Sequence, residues 1–576
     1  MDGLKALSRE IYGEDAIERL VPAIDHLRYS TTQGTNAIVQ RRGPRLGLLT
    51  DDPGLSDLLR TSNRDLFDQL VGDRVGITEG LDPAAITRLV SEIVARGANR
   101  LVVAAGAEHE ATIKRTIYSA FPRHLLGAVP LLFSNDLTRI GRPARRAWSA
   151  LINAFLHPSM EQFLYNAEGR LRGLRLRNPM LVFRNDGKST RVAKTVSALT
   201  YSSGPRGGLE GLAVIAESYE LGSMISIDVG GTTTDIARVE PGGIESPGLG
   251  TIAGVPVSFP LADIVSVGAG GSSILRVENG NVIVGPESVG SAPGPACFGR
   301  GGANATMTDV MLVAGLLDPE SFFSGKLRLD VDRAAAVVDE HLARPLGVCR
   351  SAALSVAIDA YDTKIANALG IDAARYCLVA FGGAGPMSAC GIAERAGIGR
   401  VLIPAEAAVF SAFGIGFSDI QHRYSAPLGS DRAGCEASMM TEAERGMRAE
   451  GFKPEDCTFV WSLAIEGNDE VRNIEPDSVP TADEAVSLVL DARRAIAHPR
   501  RQTGIPESSR RALPSGHRAA FDNTPVFDIA KLAPGDTTDG PCLIEDAYFT
   551  TWVRAGWRMI VTNAGDLLLT REGAEA

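Results

Sequence analysis

The sequence predicts an α/β protein of more than one domain, and three observations carry the prediction. Its 576 residues suggest roughly two to four domains at about 150 residues each. Helical and strand periodicities alternate through the first 200 residues, the pattern of a layered α/β arrangement. From about 203 to 425, short β-branched runs end in glycine-rich turns, and the 62 glycines, more than average usage gives, cluster.

In the first part, residues 6–27 have helical apolar spacing, and 46–49 form a buried-strand candidate ending at Thr50-Asp51-Asp52-Pro53. Residues 83–96 read as an amphipathic helix, followed by the apolar strand Leu101-Val102-Val103-Ala104-Ala105. Residues 145–172 read as one long helix with a kink expected at Pro158. Farther on, helices are expected at 308–316 and 352–369, between turns that include Ser203-Gly204-Pro205-Arg206-Gly207-Gly208. The segment 426–523 is polar and mixed, with a basic, proline-containing loop at 497–511, and the chain from Pro525 reads as a small β unit. These changes in texture set expected domains at 1–200, 201–425 and 426–576.

Several classes are excluded. Lys and Arg number 58 against 69 Asp and Glu, so 58 − 69 gives a net charge of −11 without any basic block, which argues against nucleic acid. The longest apolar stretch, 401–417, is interrupted by Glu406, Pro404 and two glycines, so no membrane span is expected. The start MDGLKALSRE lacks a signal-peptide pattern, and seven cysteines occur singly, which fits reduced thiols and a cytoplasmic protein. The eight histidines form no H-E-x-x-H, and no G-x-S-x-G elbow occurs, so neither a zinc nor an ordinary serine hydrolase is supported. His109-Glu110 follows a strand, a position that suits either a site or a capped, solvated turn.

The sharpest motif is Ile225-Ser226-Ile227-Asp228-Val229-Gly230-Gly231-Thr232-Thr233-Thr234-Asp235. Two glycines between strands let backbone N–H groups form an anion nest, hydroxyls add donors, and a strand-end carboxylate can hold Mg2+ through water. A tight hairpin with threonines capping its turn uses the same residues. Val267 to Ile274, with Gly270, Gly271, Ser272, suits a second backbone cradle or a plain turn. Leu378 to Met387, with Gly382 and Gly383, suits a surface for a base or ribose, or a plain strand-to-helix corner. A run from Val284 to Gly302 reads as a long irregular loop, where Glu287 and Arg300 suit substrate contact or, better, structural roles, and Cys297 reads as an inert buried thiol. Thr308, before Asp309, reads as the cap of the following helix.

In order along the chain, Tyr29-Ser30-Thr31-Thr32-Gln33-Gly34-Thr35-Asn36-Ala37, SGPRGG (203–208), DVGGTTTD (228–235), GAGGSS (268–273), VGPESVGSAPGPACFGRGG (284–302) and AFGGAGP (380–386) resemble the hydantoinase A / 5-oxoprolinase family. That family includes ATP-dependent cyclic-amide hydrolases and subunits of acetone and acetophenone carboxylases. The resemblance implies an actin-like ATPase fold, two lobes of ribonuclease-H-like topology with a small C-terminal β-rich domain. It implies ATP with Mg2+ (or Mn2+), phosphorylation of a substrate carbonyl oxygen, and a hydantoinase B-like partner in a hetero-oligomer. The substrate expected is a hydantoin, oxoproline or similar lactam, with a ketone carboxylase subunit and a non-catalytic scaffold subunit as alternatives. On this likeness Asp228 and Asp235 are the catalytic carboxylates, Asp228 also the metal ligand, and Gly230, Gly231, Thr232, Thr233 and Thr234 grip phosphate. Gly270, Gly271 and Ser272 line the cleft from the other side, and Gly382 and Gly383 face the adenosine. The sequence departs from the family in three places. No first phosphate loop of the form G-I-D-V-G-G-T-F-T-D precedes Tyr29, from which weak nucleotide binding or an absence of hydrolysis is expected. Tyr29-Ser30 stands for the family's His-Gly, and Arg184-Asn185-Asp186-Gly187 for the S-N-G-G of lactam-cleaving members, which leans toward the carboxylase branch.

Overall fold

The computed structural model describes residues 1–121, 127, 129–139, 142–219, 221–241, 243–244, 249–262, 264–428, 431–466, 471–476, 485–502, 504–507, 509–520 and 522–573. His124 and positions 503 and 508 of the basic stretch lie outside them. The chain divides into two compact units, 1–206 with 246–263 and 418–498, and 207–245 with 264–417 and 499–576. The expected block 426–576 is therefore shared between both units, because its strands complete two different sheets.

In the first unit, Thr458–Glu466 and Ala485–Arg494 lie in a seven-stranded sheet with Leu181–Phe183, Ser189–Arg191 and Ile420–Pro427. The polar texture of 426–523 thus conceals strands, and also the helix Arg432–Ala449, which buries Met439, Ala443 and Met447 on one face. A separate parallel sheet has the order Val75–Ile77, Leu46–Thr50, Arg100–Val103, Leu131–Phe133. The helices Pro83–Ala95 and Ala107–Ala120 cover it through Ile86, Val90, Ile93, Ile113 and Ile117. The long helix forms over Pro143–Gly173 with Pro158 inside it, and buries Trp148, whose indole N–H donates to Ser62 at 2.8 Å. Residues 6–27 do not form one helix. Gly13, at φ +78°, ends the helix Asp2–Tyr12 in the left-handed conformation that glycine adopts at least cost.

The second unit is built on a nine-stranded sheet. Its order runs Val265–Val267, Thr234–Val239, Met224–Val229, Cys377–Phe381, Arg400–Ile403, Leu567–Arg571, Trp557–Val561, Asp536–Asp539, Arg510–Arg511. The C-terminal segment is β-rich as expected, but four of its strands extend this sheet, while Gly516–Ala520, Asp522–Asp528, Cys542–Glu545 and Thr550–Val553 form a sheet of their own. Helices form at Met307–Val313 and Arg350–Leu369. SGPRGG is not a turn but the start of the helix Ser203–Tyr219. Its glycines serve close packing: a Cβ on Gly207 would lie 2.6 Å from the Ser411 carbonyl oxygen, and one on Gly208 2.9 Å from the Phe381 ring. Among the described residues no helix is long and apolar enough to cross a membrane.

Candidate functional site

The DVGG motif forms an antiparallel hairpin. Ile225, Ile227 and Val229 are fully buried on one strand and Ile236 and Val239 nearly so on the other, which fixes the register and sets Asp228 directly opposite Asp235. The Gly230 N–H donates to the Thr233 carbonyl at 3.0 Å and closes the turn. Gly231, Thr232 and Thr233 are exposed, and their amides meet no acceptor among the described residues. Successive unengaged N–H groups are the donor pattern that takes an anion.

Beneath them sit the two carboxylates, both half-buried and on one face of the sheet. Burial, and then the neighbouring charge of Asp235, push Asp228 up to about 7, against a hydrogen bond from Ser411. Burial raises Asp235 as well, against a hydrogen bond from Ser266. Two carboxylates this close favour a shared proton or a cation. No third His, Cys, Asp or Glu among the described residues completes a metal site. Asp228 and Asp235 are the residues that could hold Mg2+, which takes one or two carboxylates and fills its remaining positions with water and phosphate oxygen.

The GAGGSS loop braces the hairpin. Its Gly271 and Ser272 amides donate to the carbonyls of Gly230 and Gly231 at 3.0 and 2.6 Å, and the Gly270 amide donates to Ser273 Oγ at 2.8 Å. A Cβ on Gly270 would lie 2.7 Å from the Gly231 carbonyl, so glycine is required there. Gly270, Gly271 and Ser272 are buried and spend their amides on the protein instead of lining an open cleft. Thr234 is fully buried, and its hydroxyl donates to the Ala269 carbonyl at 2.6 Å. Of the expected phosphate grip, Gly230, Gly231, Thr232 and Thr233 remain at the surface.

The 284–302 run supports this loop. Its first residues belong to the strand Asn281–Ser288, where Glu287 pairs with Arg276 at 2.8 Å; Arg300 is exposed. The fully buried Asp309 carboxylate accepts from the amides of Ala296, Cys297 and Thr306 and from the Thr306 hydroxyl. The helix cap is Thr306, two residues earlier than the expected Thr308, because the helix begins at Met307 and Asp309 closes a capping box with Thr306. Thr308 instead donates its N–H and its hydroxyl to the Gly271 carbonyl, each at 2.8 Å. Burial, and then Asp309, push the Cys297 thiol far up, so it is an inert thiol.

The third motif joins at the same corner. Cys377–Phe381 runs parallel to Met224–Val229 with Phe381 opposite Asp228. Gly382, at φ +80°, donates its N–H to the Ala407 carbonyl at 2.9 Å, and a Cβ there would lie 2.5 Å from Asp228 Oδ1. Its missing side chain thus makes room for Asp228. Gly383 is exposed with open space before it. Sequence reasoning missed Ser411 on Asp228 and Lys364, whose ammonium donates to the carbonyls of Gly268 at 3.0 Å and Val284 at 2.6 Å. Ser411 had one signal, a lone hydroxyl inside the apolar stretch 401–417.

Two expected features belong to the first unit. His109 Nδ1 lies 2.6 Å from Asp51, and Glu110 is buried on Ser134 and Asn135. Arg184 and Asp186 close on each other at 2.5 Å, so neither offers a free charge to a substrate.

Two α/β units, one with an exposed amide turn over a carboxylate pair at the head of a mixed sheet, are consistent with the actin-like ATPase fold that the resemblance implies. A solved structure of ATP-dependent caprolactamase from Pseudomonas jessenii shares this fold, with a TM-score of 0.81, 23% identity, and coverage of 99% of this chain and 94% of that one. Sequence models described as hydantoinase/oxoprolinase and as its N-terminal region match residues 146–424 and 2–117, and the chain belongs to the hydantoinase/oxoprolinase family. It is 27% identical to the acetophenone carboxylase gamma subunit of Aromatoleum aromaticum, over 96% of this chain and 89% of that protein. It is 25% identical to 5-oxoprolinase 1 of Arabidopsis thaliana, over 96% of this chain, and spans 51% of that relative.

Proposed function

We propose that this chain is the ATP-dependent, carbonyl-activating subunit of a hydantoinase/5-oxoprolinase-type enzyme that opens a cyclic amide. The observation that carries the reading is the set of three unengaged amides, Gly231 to Thr233, standing over the Asp228–Asp235 pair. ATP with Mg2+ supplies a phosphoryl group that makes a carbonyl oxygen a leaving group. The amides hold the transferring charge, and the two carboxylates orient the cation or its water. Gly383 leaves open space for the nucleoside, and the buried GAGGSS loop keeps the amides aimed without reorganisation during turnover. Relatives described as subunits support a hydantoinase B-like partner in a hetero-oligomer. A second reading, a ketone carboxylase subunit, is supported by the acetophenone carboxylase relative, which aligns with 96% of the chain.

The test is ATP turnover by the purified chain, alone and with its neighbouring gene product, across lactams and ketones with and without bicarbonate. Lactam-stimulated phosphate release with ring opening is expected. Bicarbonate-dependent carboxylation of a ketone would select the second reading, and no turnover in any combination would leave a scaffold subunit.

A further inference from the structure

The basic stretch 497–511 has no part in the reading above, yet the structure buries one of its arginines. Arg500 and Arg511 are exposed, whereas the Arg501 side chain is only 7% exposed. Arg501 donates to Glu406 Oε2 at 2.9 Å and, from its other terminal nitrogen, to Asp566 Oδ1. Its guanidinium lies over the Phe413 ring, 5.0 Å from the centroid. Asp566 is fully buried and also accepts from the Tyr219 hydroxyl at 2.5 Å and the Ala405 amide at 2.8 Å. A buried cation of this kind persists only while its fork is satisfied on both sides, a geometry that a lysine does not reproduce.

Each group that Arg501 touches leads to the Asp228 corner. Ala405 and Glu406 precede the short turn Ala407–Val409, and the Ala407 carbonyl takes the Gly382 N–H at 2.9 Å. Phe413 belongs to the helix Phe410–Ile415, which carries Ser411 to the Asp228 carboxylate. We propose that Arg501 is a positioning residue that locks the 404–415 segment, and through it Gly382 and Ser411, against Asp228. It touches no substrate. The consequence for turnover rests on the ATP-site reading, whereas the consequence for backbone order does not.

The test compares Arg501→Gln, Arg501→Lys and the exposed-site control Arg500→Gln in the full chain, by amide hydrogen exchange and by ATP kinetics. In Arg501→Gln the Gly382 amide and the 404–415 segment should exchange about tenfold or more faster, while Met224–Val229 keeps its protection. Turnover should fall about 10- to 100-fold with KM for ATP nearly unchanged, since a misplaced carboxylate costs rate more than binding. Arg501→Lys should recover part of the protection, and Arg500→Gln should match the parent. Unchanged exchange at Gly382 would overturn the proposal, as would acceleration spread evenly over the whole unit. If Arg501→Gln does not fold, Glu406→Gln, which removes one arm of the fork, should show the same local loosening to a smaller degree, and its absence would overturn the proposal equally. A parent protein without ATP turnover would sink the functional reading alone, and the exchange data would still decide the role of Arg501.

Discussion

The turn at Gly230 to Thr233 and the loop at Gly268 to Ser273 have almost the same composition and opposite duties. In the first, three consecutive amides face outward with no acceptor among the described residues; in the second, the amides of Gly270, Gly271 and Ser272 are all spent on the protein. Glycine at Gly231 leaves a Cβ position no nearer than 3.6 Å to any neighbour, whereas glycine at Gly270 leaves 2.7 Å. Glycine content therefore does not separate a ligand-binding loop from a brace. The fate of each N–H does.

The sharpest way to break this contrast is Asp228→Ala, which should lower ATP turnover at least about 100-fold, read as phosphate release, with the thermal midpoint held or raised. Loss of folding instead would move Asp228 from the ligand to the framework. Next in size, Gly270→Ala should cost about 1–3 kcal/mol in denaturant unfolding, because its Cβ meets rigid backbone. Asp309→Asn should cost a similar about 1–3 kcal/mol by unpairing buried donors under the same loop. Gly231→Ala sharpens the comparison from the other side: stability should stay within about 0.5 kcal/mol while ATP affinity by calorimetry falls about tenfold. If Gly231→Ala and Gly270→Ala behaved alike, the distinction between the two loops would fail.

The smallest effect concerns pH. Asp228 is held at about 7 in the folded protein, above its unfolded value, so the native state binds the extra proton between about pH 4 and 7. Stability should then fall as pH rises through that window in the absence of Mg2+, and Asp228→Asn should flatten the fall. Thermal unfolding across pH 4 to 8 measures it, and an equal slope in the variant would contradict the assignment.

The hairpin was legible in the sequence because alternating apolar residues, two glycines and a hydroxyl run fix both register and turn. What the sequence did not disclose was which donors were already used. Thr234 reads like Thr232 and Thr233, yet the pleat turns it inward to the Ala269 carbonyl. SGPRGG reads as a turn because glycine and proline dominate it, while tertiary packing against Phe381 and the Ser411 backbone makes it helical. Ser411, Lys364 and Arg501 reach the site or its supports from separate stretches of chain, and no local spacing links them to Asp228.

The account stands or falls on the amides of Gly231, Thr232 and Thr233. A crystal structure of the chain with a non-hydrolysable ATP analogue and Mg2+ should place phosphate oxygens within hydrogen-bond distance of these three nitrogens, with the cation beside Asp228. Phosphates bound elsewhere, with the turn left bare at saturating analogue, would contradict it.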